Sequence, residues 1–178
     1  LSLRDDIDWS NVNLTLLDDR KVSIDHPDSN EKLLIDHFAK NSAQNINIVS
    51  LCNSPNEVLE IKRPFDVMLI GLGGDGHFAS LFPELVDNKE CFDVDANPEI
   101  LFLGEMGDPK HERVSMNLSL ILQSKKIILI SSSDQKNKVI QQAFTDKALP
   151  LHYLLNQNIT EIDIYDLANS KPLYFQGS

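Results

Sequence analysis

The stretch Phe65–Pro83, FDVMLIGLGGDGHFASLFP, constrains this chain more than any other, because an apolar run must stop abruptly where a cluster of glycines begins. Val67–Ile70 has the composition of a short buried strand. Gly71, Gly73, Gly74 and Gly76 end it, and residues without a Cβ permit positive φ angles or a close approach of the backbone to a bound group. A ligand-holding loop is the expected structure. Asp75 and His77 stand inside it, one carboxylate and one imidazole. A short helix is expected to start across Ala79–Phe82, where unpaired N–H groups and the positive end of the helix dipole would suit an anion or a developing oxyanion.

The spacing Gly71-x-Gly73-x-x-Gly76 also satisfies the dinucleotide-binding fingerprint, and it follows a strand as that fingerprint requires. A dinucleotide-binding helix, however, continues for several apolar turns beyond the third glycine. Pro83 forbids that here, and the fingerprint has no use for a histidine in its turn. The plainest alternative is a glycine turn carrying a solvated Asp and His, against which the density of special residues argues.

Strand-like and helix-like segments alternate along the rest of the chain, the pattern of an α/β domain with a mainly parallel sheet. Strands are expected over Val12–Leu17, Ile46–Leu51, Phe65–Ile70 as the central strand, Ile100–Leu103, Arg113–Asn117, Lys126–Ser131 and Ile159–Tyr165. Helices are expected from a Ser29 cap through Lys40, with Leu33, Leu34 and Phe38 at helical spacing, and over Asn56–Lys62, Asp134–Phe144 and Leu151–Leu155. In such sheets ligands gather beyond the carboxyl ends of the strands, where the polar clusters of this chain fall.

With 178 residues, one domain spanning 1–170 is expected. Residues 171–178 are set aside as a purification-tag remnant, since Leu173–Ser178 resembles a protease recognition core. A net charge of −11 without any Lys/Arg-rich run argues against nucleic acid and anionic membranes, and leaves a small molecule as the expected partner. Cys52 and Cys91 suggest neither a disulfide framework nor a metal site, and no metal or other cofactor is expected. No apolar run reaches the ~20 residues of a membrane span, and the first residues lack a signal peptide's pattern, so a cytoplasmic location is expected.

Gly-Leu-Gly-Gly-Asp-Gly-His-Phe-Ala-Ser-Leu-Phe-Pro, residues 71–83, resembles the signature of the 6-phosphogluconolactonases, in which the His is catalytic. Phe78 stands where that family usually has Thr. Leu17–Val22 followed by Asp25–Asn30 is similar to the family's Asp-Glu-Arg-x-Val-Pro and Asp-Ser-Asn segments, with Asp19 for Glu and Ser23 for Pro. Glu112–Met116 resembles its Arg-Ile-Thr-Leu segment, and Ser133–Ile140 its Gly-x-x-Lys helix start.

The resemblance implies a single open, mainly parallel sheet flanked by helices (NagB/RpiA-like) and hydrolysis of 6-phospho-D-glucono-1,5-lactone in the pentose phosphate pathway. It implies His77 as the base that activates water, with Asp75 holding the loop or the imidazole. Backbone N–H groups across Gly73, Gly74 and Gly76 are the expected oxyanion donors, and Arg20, Arg113 and Lys136 the expected phosphate ligands, Arg as a planar fork and Lys as a point charge. Taken singly, Arg20 and Arg113 read equally well as surface ion-pair residues, and Lys136 as a solvated helix residue. His26, His37, His111 and His152 read as surface or packing residues.

The rival within the superfamily is a glucosamine-6-phosphate deaminase/isomerase. Its motif places a Glu between the His and the Pro, whereas Phe78–Phe82 contains no carboxylate. A non-catalytic sugar-phosphate sensor is the rival from another class. Family members also begin with a further strand and helix whose Gly-Gly-x-Ser/Thr turn helps to hold the sugar phosphate. The expectation is that about 40–60 such residues precede Leu1 in the family and are absent here, leaving the chain poorly soluble or inactive without them.

Overall fold

The computed structural model describes residues 1–173. The chain runs through β1 (Asn13–Leu14), β2 (Asp18–Arg20), α1 (Asn30–His37), β3 (Asn47–Ile48), α2 (Pro55–Glu60), β4 (Met68–Gly71), α3 (Lys89–Phe92), β5 (Ile100–Met106) and β6 (His111–Met116). It continues through α4 (Leu118–Ile121), β7 (Ile127–Ser131), α5 (Asp134–Ala143), α6 (Pro150–Leu155), β8 (Ile162–Asp166) and β9 (Lys171–Leu173). The α/β class is the one expected. The strands form three hydrogen-bonded groups, β1-β3, β2-β6-β5 and β4-β7-β8-β9, and the chain divides into two compact units.

The first unit comprises residues 1–61 and 102–115. β1 and β3 pair in parallel over two residues each, while β2 runs antiparallel to β6 with Arg20 opposite Arg113. Helix α1 starts where expected: Ser29 caps it, its hydroxyl accepting the N–H of Lys32. The buried Asp19 carboxylate reinforces that start by accepting the N–H groups of Asn30 and Glu31 at 2.7 and 2.9 Å. The orphan donors of the helix are thereby satisfied from within the fold. The expected apolar stripe is not realised, because Leu33 is 60 % exposed and Glu31 is the residue that α1 buries. Phe38, just past the helix, instead packs edge-on against the buried Trp9 with ring centroids 5.6 Å apart.

The second unit comprises residues 62–101 and the described residues from 116 on. β4, β7 and β8 are parallel, in the register Met68↔Ile127↔Ile162 and Ile70↔Leu129↔Ile164. Residues in register share a face, so Met68, Ile70, Ile127, Leu129 and Ile164 bury together on one side. Helix α5 packs on β7 and against α6, presenting Val139, Ile140 and Ala143 as its buried face.

β4 proves to be an edge strand among the described residues rather than the central strand. An apolar run cannot by itself distinguish one buried face from two. Here only alternate residues are buried, with Val67 57 % and Leu69 48 % exposed. β9 pairs antiparallel with β8, so Lys171–Leu173, set aside above with the terminal residues, takes part in the sheet; residues 174–178 lie outside the described residues. No helix among the described residues is long and apolar enough to cross a membrane.

Candidate active site

In the second unit, β4 delivers the glycine loop to its C-terminal end, and Asp75 and His77 meet there. Nδ1 of His77 lies 2.6 Å from Oδ1 of Asp75, the same oxygen that accepts the His77 backbone N–H at 3.2 Å. An ionised carboxylate can only accept, so Nδ1 carries a proton and, in the neutral imidazole, the lone pair is left on Nε2. The imidazole is partly open to solvent, its side chain 30 % exposed. Beneath it lies the buried ring of Phe82, with centroids 4.4 Å apart. That support escaped the sequence reading, although the spacing of Phe82 from His77 was on view.

The glycines play distinct parts. Gly76 alone of the four adopts positive φ, +82°, and its carbonyl accepts the N–H of Leu151 at 3.0 Å, which ties the loop to the start of α6. Gly73 is required by a close approach: a Cβ there would stand 2.2 Å from Cε1 and Nδ1 of His77. A Cβ at Gly71 would meet nothing within 4 Å.

The expected helix at Ala79–Phe82 does not form. The residue before a proline is driven to extended geometry, and Phe82 has φ −84° and ψ 162°. Only Phe78–Leu81 remain, too few to nucleate a helix. Ala79 turns the chain instead in the left-handed region, at φ +48°. No helix dipole therefore points at His77 from this segment.

The set of oxyanion donors also narrows. Gly73 donates its N–H to the His77 carbonyl at 2.8 Å and Gly76 donates to the Gly73 carbonyl at 3.2 Å, so two of the three expected donors are engaged. The loop N–H groups without a partner among the described residues are those of Gly74 and Asp75. The Gln135 side chain of α5 also reaches the loop, its Nε2 lying 3.9 Å from an ideal Cβ on Gly74. Lys136, in the first turn of the same helix, makes no ion pair among the described residues. Phe78 faces away from the loop into the core, fully buried and edge-on to Phe92. At this position the chain packs rather than donates.

In the first unit, the register of β2 on β6 sets Arg20 directly opposite Arg113. Like charges so placed repel. Burial, with a smaller contribution from the Arg20 guanidinium, holds Arg113 below its ordinary pKa, although an arginine stays cationic at any physiological pH. Arg113 is 4 % exposed and donates from Nε to the Met106 carbonyl at 3.0 Å and from Nη2 to the Pro109 carbonyl at 3.1 Å. Arg20 donates from Nη1 to the Asp28 carbonyl and to Oδ1 of Asn30, both at 2.9 Å, while its buried Nε has no partner among the described residues. The pairing of β2 with β6 thus brings two arginines onto neighbouring strands. Arg113 is buried, so it is not the surface residue that it could have been when taken singly.

The described residues contain no group of three or more His, Cys, Asp or Glu able to hold a metal. The groove bounded by Ile128, Phe144, Leu155, Ile162 and Leu173 includes none of the candidate residues.

Residues 1–162 match the family model described as glucosamine-6-phosphate isomerases/6-phosphogluconolactonase. The chain is 31 % identical over 166 residues to the 6-phosphogluconolactonase of Neisseria meningitidis serogroup A, covering 85 % of this chain and 71 % of the relative. It is 28 % identical over 177 residues to that of Helicobacter pylori strain J99, covering 92 % and 75 %. The crystal structure of a 6-phosphogluconolactonase from Shewanella baltica OS155 superposes with a TM-score of 0.81 at 31 % identity, covering 93 % of this chain and 76 % of that one. A monomeric glucosamine-6-phosphate deaminase shares the fold at a TM-score of 0.65 and 17 % identity, covering 92 % and 76 %.

Proposed function

The chain belongs to the glucosamine-6-phosphate isomerase/6-phosphogluconolactonase family, and from that premise we propose that it hydrolyses 6-phospho-D-glucono-1,5-lactone to 6-phosphogluconate with His77 as general base. The observation that carries the chemistry is the Asp75–His77 pair: the 2.6 Å bond to Nδ1 fixes the tautomer and leaves Nε2 as a partly exposed base.

Nε2 takes a proton from water as the water oxygen bonds to the lactone carbonyl carbon, and the carbonyl electrons move onto its oxygen. The N–H groups of Gly74 and Asp75 are the donors suited to that oxyanion. Collapse of the intermediate re-forms the carbonyl and breaks the bond to the ring oxygen, which receives the proton held by the imidazolium. The products are an acid and a free hydroxyl, with no net change in the enzyme. Asp75 holds the ring and favours the imidazolium that forms transiently.

Arg20 and Arg113 suit the three acceptor oxygens of a phosphate monoester, and the repulsion between them is relieved when a dianion binds there. In the second unit, Lys136, which makes no ion pair among the described residues, is proposed as a substrate-binding cation.

The test is parallel assay of the purified chain with 6-phosphogluconolactone and with glucosamine 6-phosphate. Acid release from the lactone above its spontaneous rate, without ammonia release from the amino sugar, is expected. Ammonia release would select the deaminase reading, and neither activity combined with tight 6-phosphogluconate binding would select a sensor.

A further inference from the structure

Three polar groups of Asp28, in the first unit, are committed. Its N–H donates to Nδ1 of His26 at 3.1 Å, its Oδ2 lies 2.8 Å from Nε2 of His111, and its carbonyl accepts Nη1 of Arg20 at 2.9 Å. The two imidazoles meet edge to face, with centroids 5.6 Å apart. His111 lies two residues before Arg113 on β6, so both side chains project from the same face of that strand.

Nothing in the core calls for this arrangement. The side chains of Asp28, His26 and His111 are 36 %, 40 % and 21 % exposed, and water could satisfy all three. Their order converges on Arg20 instead. Asn30 holds the same Nη1 through Oδ1, and its own Nδ2 donates to the Asp18 carbonyl at 3.3 Å. One edge of the guanidinium is therefore spent on protein acceptors, while the buried Nε has no partner among the described residues. A fork held in this way loses little side-chain entropy when it meets an anion.

We propose that His26 and His111 clamp Asp28, and that Asp28 is a positioning residue for Arg20, presetting its guanidinium for the phosphate group of the substrate. The clamp rests on the reading that Arg20 binds phosphate. The hydrogen bond from His111, the largest influence on the Asp28 carboxyl, holds that group below the usual carboxylate range, so the clamp keeps its anion.

The experiment is steady-state hydrolysis of 6-phosphogluconolactone and of unphosphorylated gluconolactone by wild type, His111→Ala, His111→Gln, His26→Ala and Arg20→Ala, each checked for folding by its melting temperature. His111→Ala is expected to raise KM for the phosphorylated lactone about threefold to tenfold, a part of the weight of a hydrogen bond to a charged group because the effect on Arg20 is indirect, with kcat within about twofold. Its kcat/KM on the unphosphorylated lactone should not change. His111→Gln, whose amide still offers a donor to Asp28, should recover most of the loss, and His26→Ala should follow His111→Ala in direction. His26→Ala decides the matter if His111→Ala fails to fold. An unchanged KM in the histidine variants while Arg20→Ala raises it overturns the clamp alone. Equal losses on both lactones, or no rescue by Gln, also overturn it. No effect of Arg20→Ala on KM removes the phosphate reading of that arginine, and the clamp with it.

Discussion

Gly73 and His77 are in such close approach that a methyl group on the first would overlap the ring of the second, with a Cβ 2.2 Å from both Cε1 and Nδ1. The next neighbour of that Cβ is Oδ1 of Asp75, at 2.6 Å, so a side chain there would displace the whole acceptor–imidazole pair. Gly73→Ala is expected to lower kcat by about a hundredfold, the scale of an ångström-sized misplacement, while the protein stays folded. Gly71→Ala, with open space at its Cβ, should remain near wild type. Comparable losses in both variants would show that the loop responds to backbone stiffness rather than to displacement of His77.

The loop was legible in the sequence because glycines, a carboxylate and a histidine within a few residues leave few other uses for that segment. Its shape was less so. The missing helix after His77 follows from Pro83 acting on the residue before it, a local rule that outweighed the apparent helix start. The partners of the glycine N–H groups were unreadable, since they depend on how the turn closes. Resemblance pointed to Arg20 and Arg113, but only the antiparallel register of β2 on β6 sets them face to face. Asp19 stands 11 residues before Asn30, so its role as the acceptor for the start of α1 carried no local sequence signal. His26 and His111 carried no signal, their common partner Asp28 being adjacent to only one of them in sequence.

Arg113 has a structural part besides the one proposed for it in binding phosphate. Buried and bonded to the Met106 and Pro109 carbonyls, it is expected to cost stability when truncated. Arg113→Ala should lose about 2–4 kcal/mol of unfolding free energy in urea titration, because hydrogen bonds from a charged group are the stronger kind. Arg113→Lys should recover little, since a point charge cannot reach both carbonyls. Binding of 6-phosphogluconate, followed by calorimetry, should weaken by about 1.5–3 kcal/mol in Arg113→Ala and in Arg20→Ala alike. A fully stable Arg113→Ala would contradict the structural half of this account.

Both cysteines should be inert in the native protein. Burial pushes the Cys52 thiol up to about 11 and the Cys91 thiol likewise to about 11. The thiolate is the nucleophile. Alkylation by iodoacetamide at pH 8 should therefore run at least about a hundredfold slower in the folded chain than in denaturant, as read by mass spectrometry. A raised thiol pKa favours the folded state's protonated form, so its stabilising share is intact below the ordinary thiol pKa and is lost as pH rises from about 9 toward 11. Rapid native labelling would refute the burial of either sulfur.

The central claim is that Nε2 of His77, freed by the 2.6 Å bond from Nδ1 to Asp75, takes the proton from water. The direct measurement is kcat of His77→Ala on 6-phosphogluconolactone with the spontaneous reaction subtracted, beside the dissociation constant of 6-phosphogluconate for the same variant. The account predicts a fall in kcat of about 10²–10⁴-fold with product affinity nearly unchanged, since a general base acts on the transition state. A variant that turns over near the wild-type rate would contradict it.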